Sequence, residues 1–155
     1  MEDESNSTSV NKSLVYITLP LGTVIRTHVL DTDPPKTKYF IIVGYHDNHA
    51  ITIYFNSEIN HFVNYSQELQ CLHIPFECAG RPYLTKNCYC DCSFISLKDK
   101  NELHQAFSND SRIYKGQLCP EDLNKVMMML KSSPKIKGTL KNRYGFYDYQ
   151  PTNIS

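Results

Sequence analysis

The sequence predicts an α+β domain, with short strands first and an amphipathic helix near the end. Three observations lead there. Lys38-Tyr-Phe-Ile-Ile-Val43 and Ala50-Ile-Thr-Ile-Tyr-Phe55 are β-branched and aromatic runs joined by a short polar connection, the pattern of a hairpin. From Pro120, apolar residues recur at Leu123, Val126, Met127 and Leu130, which is one face of a helix. At 155 residues and 41% hydrophobic, the chain can bury a core without disulfides or metal.

The elements follow in order. Residues 1–13 are acidic and Ser/Asn-rich and read as a disordered tail. Val15 to Leu21 is apolar and ends in a turn signal at Pro20 and Gly22. Gly22 to Val29 reads as a strand, and Asp31 to Lys36, with two prolines, as a loop. The run from Lys38 is continuous enough to be a central buried strand. Gly44 to His49 is the tight connection, and Asn56-Ser57-Glu58 closes the strand that follows.

Residues 59–69 carry no clear period. Cys71 to Ile74 reads as a strand stopped by Pro75, and Tyr89 to Ile95 as another. Asp99, with Glu102 three residues on, marks the N-cap of a short helix through Phe107. Arg112 to Leu118 is extended. Pro120 suits the first helical position, Glu121 and Asp122 suit the helix dipole, and Pro134 ends the helix. Residues 14–134 thus form one domain, and 135–155 a basic, aromatic tail.

Sixteen basic and sixteen acidic side chains cancel, so no global field steers the chain onto nucleic acid or membrane. No apolar run nears the roughly 20 residues needed to span a bilayer. The N-terminus has neither the basic start nor the apolar stretch of a secretion signal, so a cytoplasmic protein is expected. The six cysteines fit that setting as small buried hydrophobes. Cys88, Cys90 and Cys92 would share one face of a strand; a zinc site there needs a fourth ligand such as Cys71, His73 or Cys78.

In the tail, Lys137, Lys141 and Arg143 alternate with Tyr144 and other aromatics, a pattern able to grip a single strand through phosphate contacts and stacking. The alternative is a tail that packs its aromatics on the domain and leaves its lysines in water.

The order of these pieces resembles the PemK/MazF family of toxin ribonucleases. Gly22-Thr-Val-Ile-Arg26 looks like the family's opening strand, and Lys38-Tyr-Phe-Ile-Ile-Val43 occupies the place of its Arg-Pro-apolar strand. Tyr54-Phe-Asn-Ser-Glu-Ile59 stands where the family has a strand-end Thr/Ser turn, and Tyr114 to Val126 is similar to the entry of its last helix. The resemblance covers residues 20–133. It implies a small, strongly bent, SH3-like antiparallel β-barrel of MazF type with appended helices, usually a homodimer paired with a cognate antitoxin protein.

The resemblance also implies metal-independent cleavage of single-stranded RNA, with no cofactor. The 2′-hydroxyl attacks its own phosphate, which needs a proton acceptor, a proton donor and positive charge on the phosphorane. The family's arginine position corresponds to Lys38, and its Thr/Ser position to Asn56 or Ser57. A lysine offers a point charge where arginine offers a fork. Arg26 and His28, at the end of the first strand, could supply what Lys38 lacks, and Lys36 could add a phosphate contact. Each also has a plain structural role: a snorkelling lysine, turn residues, or charges that guard an edge strand. A second function class stays open, a non-catalytic module whose cleft holds a peptide, a partner protein or nucleic acid.

Overall fold

The structure, a computed structural model, describes residues 19–29 and 34–153. The 1–13 tail, most of the Val15–Leu21 run and the Asp31–Asp33 part of the Pro-rich loop lie outside the described residues. The fold is α+β: a curled, all-antiparallel sheet forms a half-barrel and carries a few helices.

The strands are β1 (Thr23–Val29), β2 (Lys36–His46), β3 (His49–Asn56), β4 (His73–Phe76), β5 (Cys88–Asp91), β6 (Ser96–Asp99) and β7 (Tyr114–Gln117). The helices are α1 (Gln67–Gln70), α2 (Lys100–Asn109), α3 (Pro120–Ser132) and α4 (Gly138–Arg143), with a 3₁₀ turn at Ser111–Ile113. Neighbouring strands run β4-β5-β3-β2-β1-β7. The first half of β3 pairs with β6 and its end pairs with β5, Phe55 opposite Cys90 and Asn56 opposite Tyr89. One strand that changes partners along its length is what curls the sheet.

The β2–β3 hairpin is longer than the hydrophobic pattern suggests. Pairing continues to His46 opposite His49, and only Asp47 and Asn48 form the turn. Asp47 takes φ 51°, the left-handed conformation that a two-residue hairpin demands and that Asp tolerates. Both faces of this ribbon are covered, as the unbroken apolar run of β2 requires. Val24, Ile41, Ile53 and Phe55 pack into one cluster with α3, through Val126, Met127 and Leu130. Ile25, Phe40, Ile42 and Tyr54 pack into a second cluster with Leu103 of α2.

Both helix starts stand where the sequence puts them. The Asp99 carboxylate accepts the Glu102 N–H at 3.0 Å, and Pro120 opens α3 after the Cys119 cap. Three segments differ from expectation, and of these the Arg112–Leu118 stretch opens in the 3₁₀ turn and is a strand only over Tyr114–Gln117. Tyr89–Ile95 is not continuous: Asp91 accepts the backbone N–H and hydroxyl of Ser93 and turns the chain between β5 and β6. Pro75 does not end β4. That strand lies at the sheet edge, where a missing N–H is tolerated.

The segment after Pro134 is drawn into the fold. Ile136 and Phe146 are buried in the α3 cluster, and Lys141 in α4 is buried as well. Gly44 faces this segment so closely that a Cβ there would stand 3.0 Å from the Tyr144 carbonyl oxygen. Asn124 of α3 closes the arrangement, donating to the Thr152 carbonyl at 2.9 Å and accepting from the Thr152 N–H at 2.9 Å.

Candidate functional site

A cleft of about 590 Å³ opens where β1, β2 and the end of β3 meet the loop before β5 and the strand β7. Arg26, Lys36, Lys38, Lys86, Lys115 and Ser57 contribute to its wall. Five of these are cations, and the described lining contains no carboxylate. In a chain of zero net charge this is a local concentration of positive charge, the arrangement that holds anions.

Local structure explains each placement. Arg26 leaves the buried half of β1 and is exposed, its guanidinium 5.6 Å over the ring of Tyr39, its cross-strand neighbour. Ser57 is the first residue past β3 and is exposed. Lys115 stands in β7 beside Gly116, whose lack of a side chain lets Tyr83 pack close by; a Cβ there would lie 3.3 Å from that ring.

Lys86 belongs to the segment between β4 and β5, and that segment is clamped onto α3 by Arg81. The Arg81 guanidinium donates to both Asp122 oxygens, at 2.8 and 2.9 Å, and to the Glu77 carbonyl at 2.9 Å. It also stacks 4.8 Å over the Phe76 ring. The hydrogen bonds from Arg81 hold the Asp122 carboxyl below the usual range, and the same bonds raise the Arg81 pKa. Burial pushes the neighbouring Tyr83 hydroxyl up. At the cleft floor, burial pushes the Cys88 thiol up to about 11, so it stays protonated and unreactive near neutrality.

Lys38 departs from a simple phosphate lysine. Its Nζ lies 5.3 Å over the Tyr54 ring and donates to Asn56 Oδ1. Asn56 in turn donates to Asp91 Oδ2 at 3.3 Å. Asp91 Oδ1 stands 3.8 Å from Nδ1 of the buried His73. Asn56 is therefore an anchor for the Lys38 ammonium rather than a member of the cleft wall, which leaves Ser57 in the strand-end position.

Two further groups of expected site residues lie away from this cleft. His28 does not join Arg26. Two residues along a strand advance the backbone by about 6.6 Å, and His28 lines a second cavity of about 350 Å³ with Val29, Phe40 and Leu103 beside α2. Lys137, Lys141, Arg143 and Tyr144 do not line the cleft either. Lys141 is buried, while Arg143 and Tyr144 border a third cavity with His46 and His49. Of the aromatics in this segment, Phe146 is buried and Tyr144 sits edge-on to both His46 and Phe146, while Tyr147 stays exposed.

Among the described residues, no group of three or more His, Cys, Asp or Glu side chains could hold a metal ion. Cys88, Cys90 and Cys92 are buried in the α3 cluster, and burial raises the Cys90 thiol strongly. No helix among the described residues is long and apolar enough to cross a membrane.

Lys86 and Lys115 are the cleft residues that sequence patterns alone do not single out. Lys115 had one signal, its place in the Tyr114 to Val126 stretch that leads into α3. Lys86 had none, because the clamp that presents it links residues 41 apart. No family model matches the chain, and no curated protein or solved structure matches it.

Proposed function

We propose that the cleft holds the phosphate backbone of single-stranded RNA and that the protein is a PemK/MazF-like, metal-independent endoribonuclease on an SH3-like half-barrel. The observation that carries this reading is the lining with five cations and no carboxylate among its described residues. With it go the other implications of the resemblance: a cytoplasmic homodimer with a cognate antitoxin protein.

In the reaction, the 2′-oxygen attacks the adjacent phosphorus and gives up its proton. The bond to the 5′-oxygen breaks, and that oxygen takes up a proton. A 2′,3′-cyclic phosphate and a 5′-hydroxyl end result. Arg26 offers its fork to the phosphorane oxygens, and Lys36, Lys86 and Lys115 hold the flanking phosphates. Ser57 orients the scissile group. Lys38, fixed through Asn56, lends charge and can donate the proton to the departing oxygen.

With His28 in another cavity, the described lining has neither imidazole nor carboxylate to act as base. The 2′-proton then passes to hydroxide. Cleavage accelerates through neutral pH without an inflection near about 6.5, the value at which a histidine base would show one. That no such base stands among the described lining residues is also the specific observation that favours the second reading, a cleft that binds the same strand without cutting it.

One incubation separates the two. Purified protein in EDTA is mixed in excess with a long single-stranded RNA. Fragments ending in cyclic phosphate support the ribonuclease. Intact RNA in a salt-sensitive complex supports the binding module. Absence of both cutting and binding overturns the cleft assignment itself.

Binding carries its own quantitative expectation. Four phosphate contacts give a slope of roughly −3 for log affinity against log salt on a single strand. Replacing Arg26, Lys86 and Lys115 together by Ala lowers the magnitude of that slope by about 2. An unchanged slope in a titration from low to physiological salt means that these cations do not touch the ligand.

A further inference from the structure

The chain that leaves the cleft at Ser57 carries a second unusual surface. Phe62 is 98% exposed, Tyr65 80% and Val63 62%, three large apolar side chains within four residues. Their backbone is nonetheless organised. Asn60 Oδ1 accepts the N–H groups of Phe62 and Val63, at 3.0 and 3.4 Å. The Asn60 carbonyl accepts both the backbone and side-chain N–H of Asn64, and Gln70 donates to the Asn64 carbonyl at 2.9 Å. Asn64 is buried beneath its exposed neighbours. A hydrogen-bonded turn that holds out bare aromatics presents a surface whose ordering cost is already met before any ligand arrives.

We infer that Phe62 and Tyr65 are a base-stacking platform for the single strand whose phosphates lie in the cleft. This deepens the reading above and rests on it. Continuity carries the assignment. Phe62 follows Ser57, a cleft residue, by five positions and so lies within about 17 Å of it, the limit of an extended chain. A strand gripped by its phosphates turns its bases outward to a neighbouring surface, and aromatic faces accept any base. Ile59 to Tyr65 contains neither lysine, arginine, aspartate nor glutamate, so the loop adds π-faces beside the cleft's charge. The strand is then held by two chemistries: salt-sensitive contacts at the phosphates and stacking at the bases.

The test uses the full chain and two labelled probes, a short oligouridylate and its abasic analogue with the same phosphates. To keep the RNA intact, binding is read at low temperature within the first minutes. Phe62→Ala with Tyr65→Ala is expected to weaken oligouridylate binding roughly tenfold or more. The same pair leaves the abasic probe and the salt slope unchanged, and Phe62→Trp restores affinity. Both side chains are exposed, so an unchanged thermal midpoint is expected.

Oligouridylate binding that is lost on neutralising Arg26, Lys86 and Lys115, yet indifferent to the aromatic pair, overturns the platform while the cleft reading stands. A wild-type protein that binds neither probe overturns both. A change of oligomeric state in the aromatic variant, with RNA affinity unchanged, assigns the loop to a second copy of the chain and also overturns the platform.

Discussion

Phe146→Ala is expected to lower folding stability by about 3–5 kcal/mol, the cost of emptying a fully buried phenylalanine site. Phe146 has no exposure and packs in the same cluster as Val126, Met127 and Leu130 of α3. Two contacts limit collapse around the cavity. The chain beside Phe146 is pressed against Gly44, and Asn124 holds the segment further on through its paired bonds to Thr152. Tyr147→Ala, one residue away but exposed, should stay within about 0.5 kcal/mol of wild type. Urea denaturation of both variants gives the comparison. A loss below about 1 kcal/mol for Phe146→Ala would mean that the chain after Pro134 lies outside the cooperative unit.

The contrast between Phe146 and Lys141 shows where sequence reading stops. Strands β1 to β3, the Asp99 cap and the Pro120 helix were legible because each rests on local chemistry: alternation, a side-chain acceptor, a fixed φ. The segment from Lys135 has the composition of a solvated tail, and only tertiary packing turns it inward. Lys141 is buried as well, which the long apolar stem of a lysine permits. At the site, Arg26, Lys36, Lys38 and Ser57 were legible because a strand order and a strand-end turn bring them together. His28 shares the strand of Arg26, but strand parity alone does not say where along the strand a cleft ends. Asn56 and Ser57 were interchangeable in sequence. Their surroundings differ: Asn56 bonds to Asp91 and Lys38, while Ser57 lines the cleft.

Arg81→Ala should cost roughly 2–3 kcal/mol at neutral pH and, unlike a cavity mutation, should be sensitive to acid. The figure sits at or below the low end for breaking a buried pair, because a quarter of the Arg81 side chain meets solvent and screens the interaction. Asp122 is the buried partner, with 6% side-chain exposure, and it is left with an uncompensated charge.

The sign follows from the carboxyl being held below its usual range by Arg81. A depressed folded-state value contributes stability above the unfolded value of about 3.9, and that contribution fades as pH falls through the folded-state value. The wild-type protein therefore loses this increment on strong acidification. Arg81→Ala has no such increment to lose, and its stranded Asp122 gains from protonation. The gap between the two proteins should be widest near pH 7 and shrink below about pH 4. Denaturant titrations at both pH values measure it, and a gap independent of pH would show that Arg81 acts through its stacking on Phe76 instead.

Arg81→Lys should restore only part of the loss, since one ammonium cannot reach both Asp122 oxygens as the fork does. The consequence reaches the cleft. The clamp fixes the segment that presents Lys86, so a loosened Arg81 variant should bind single-stranded RNA more weakly although Arg81 itself does not line the cleft.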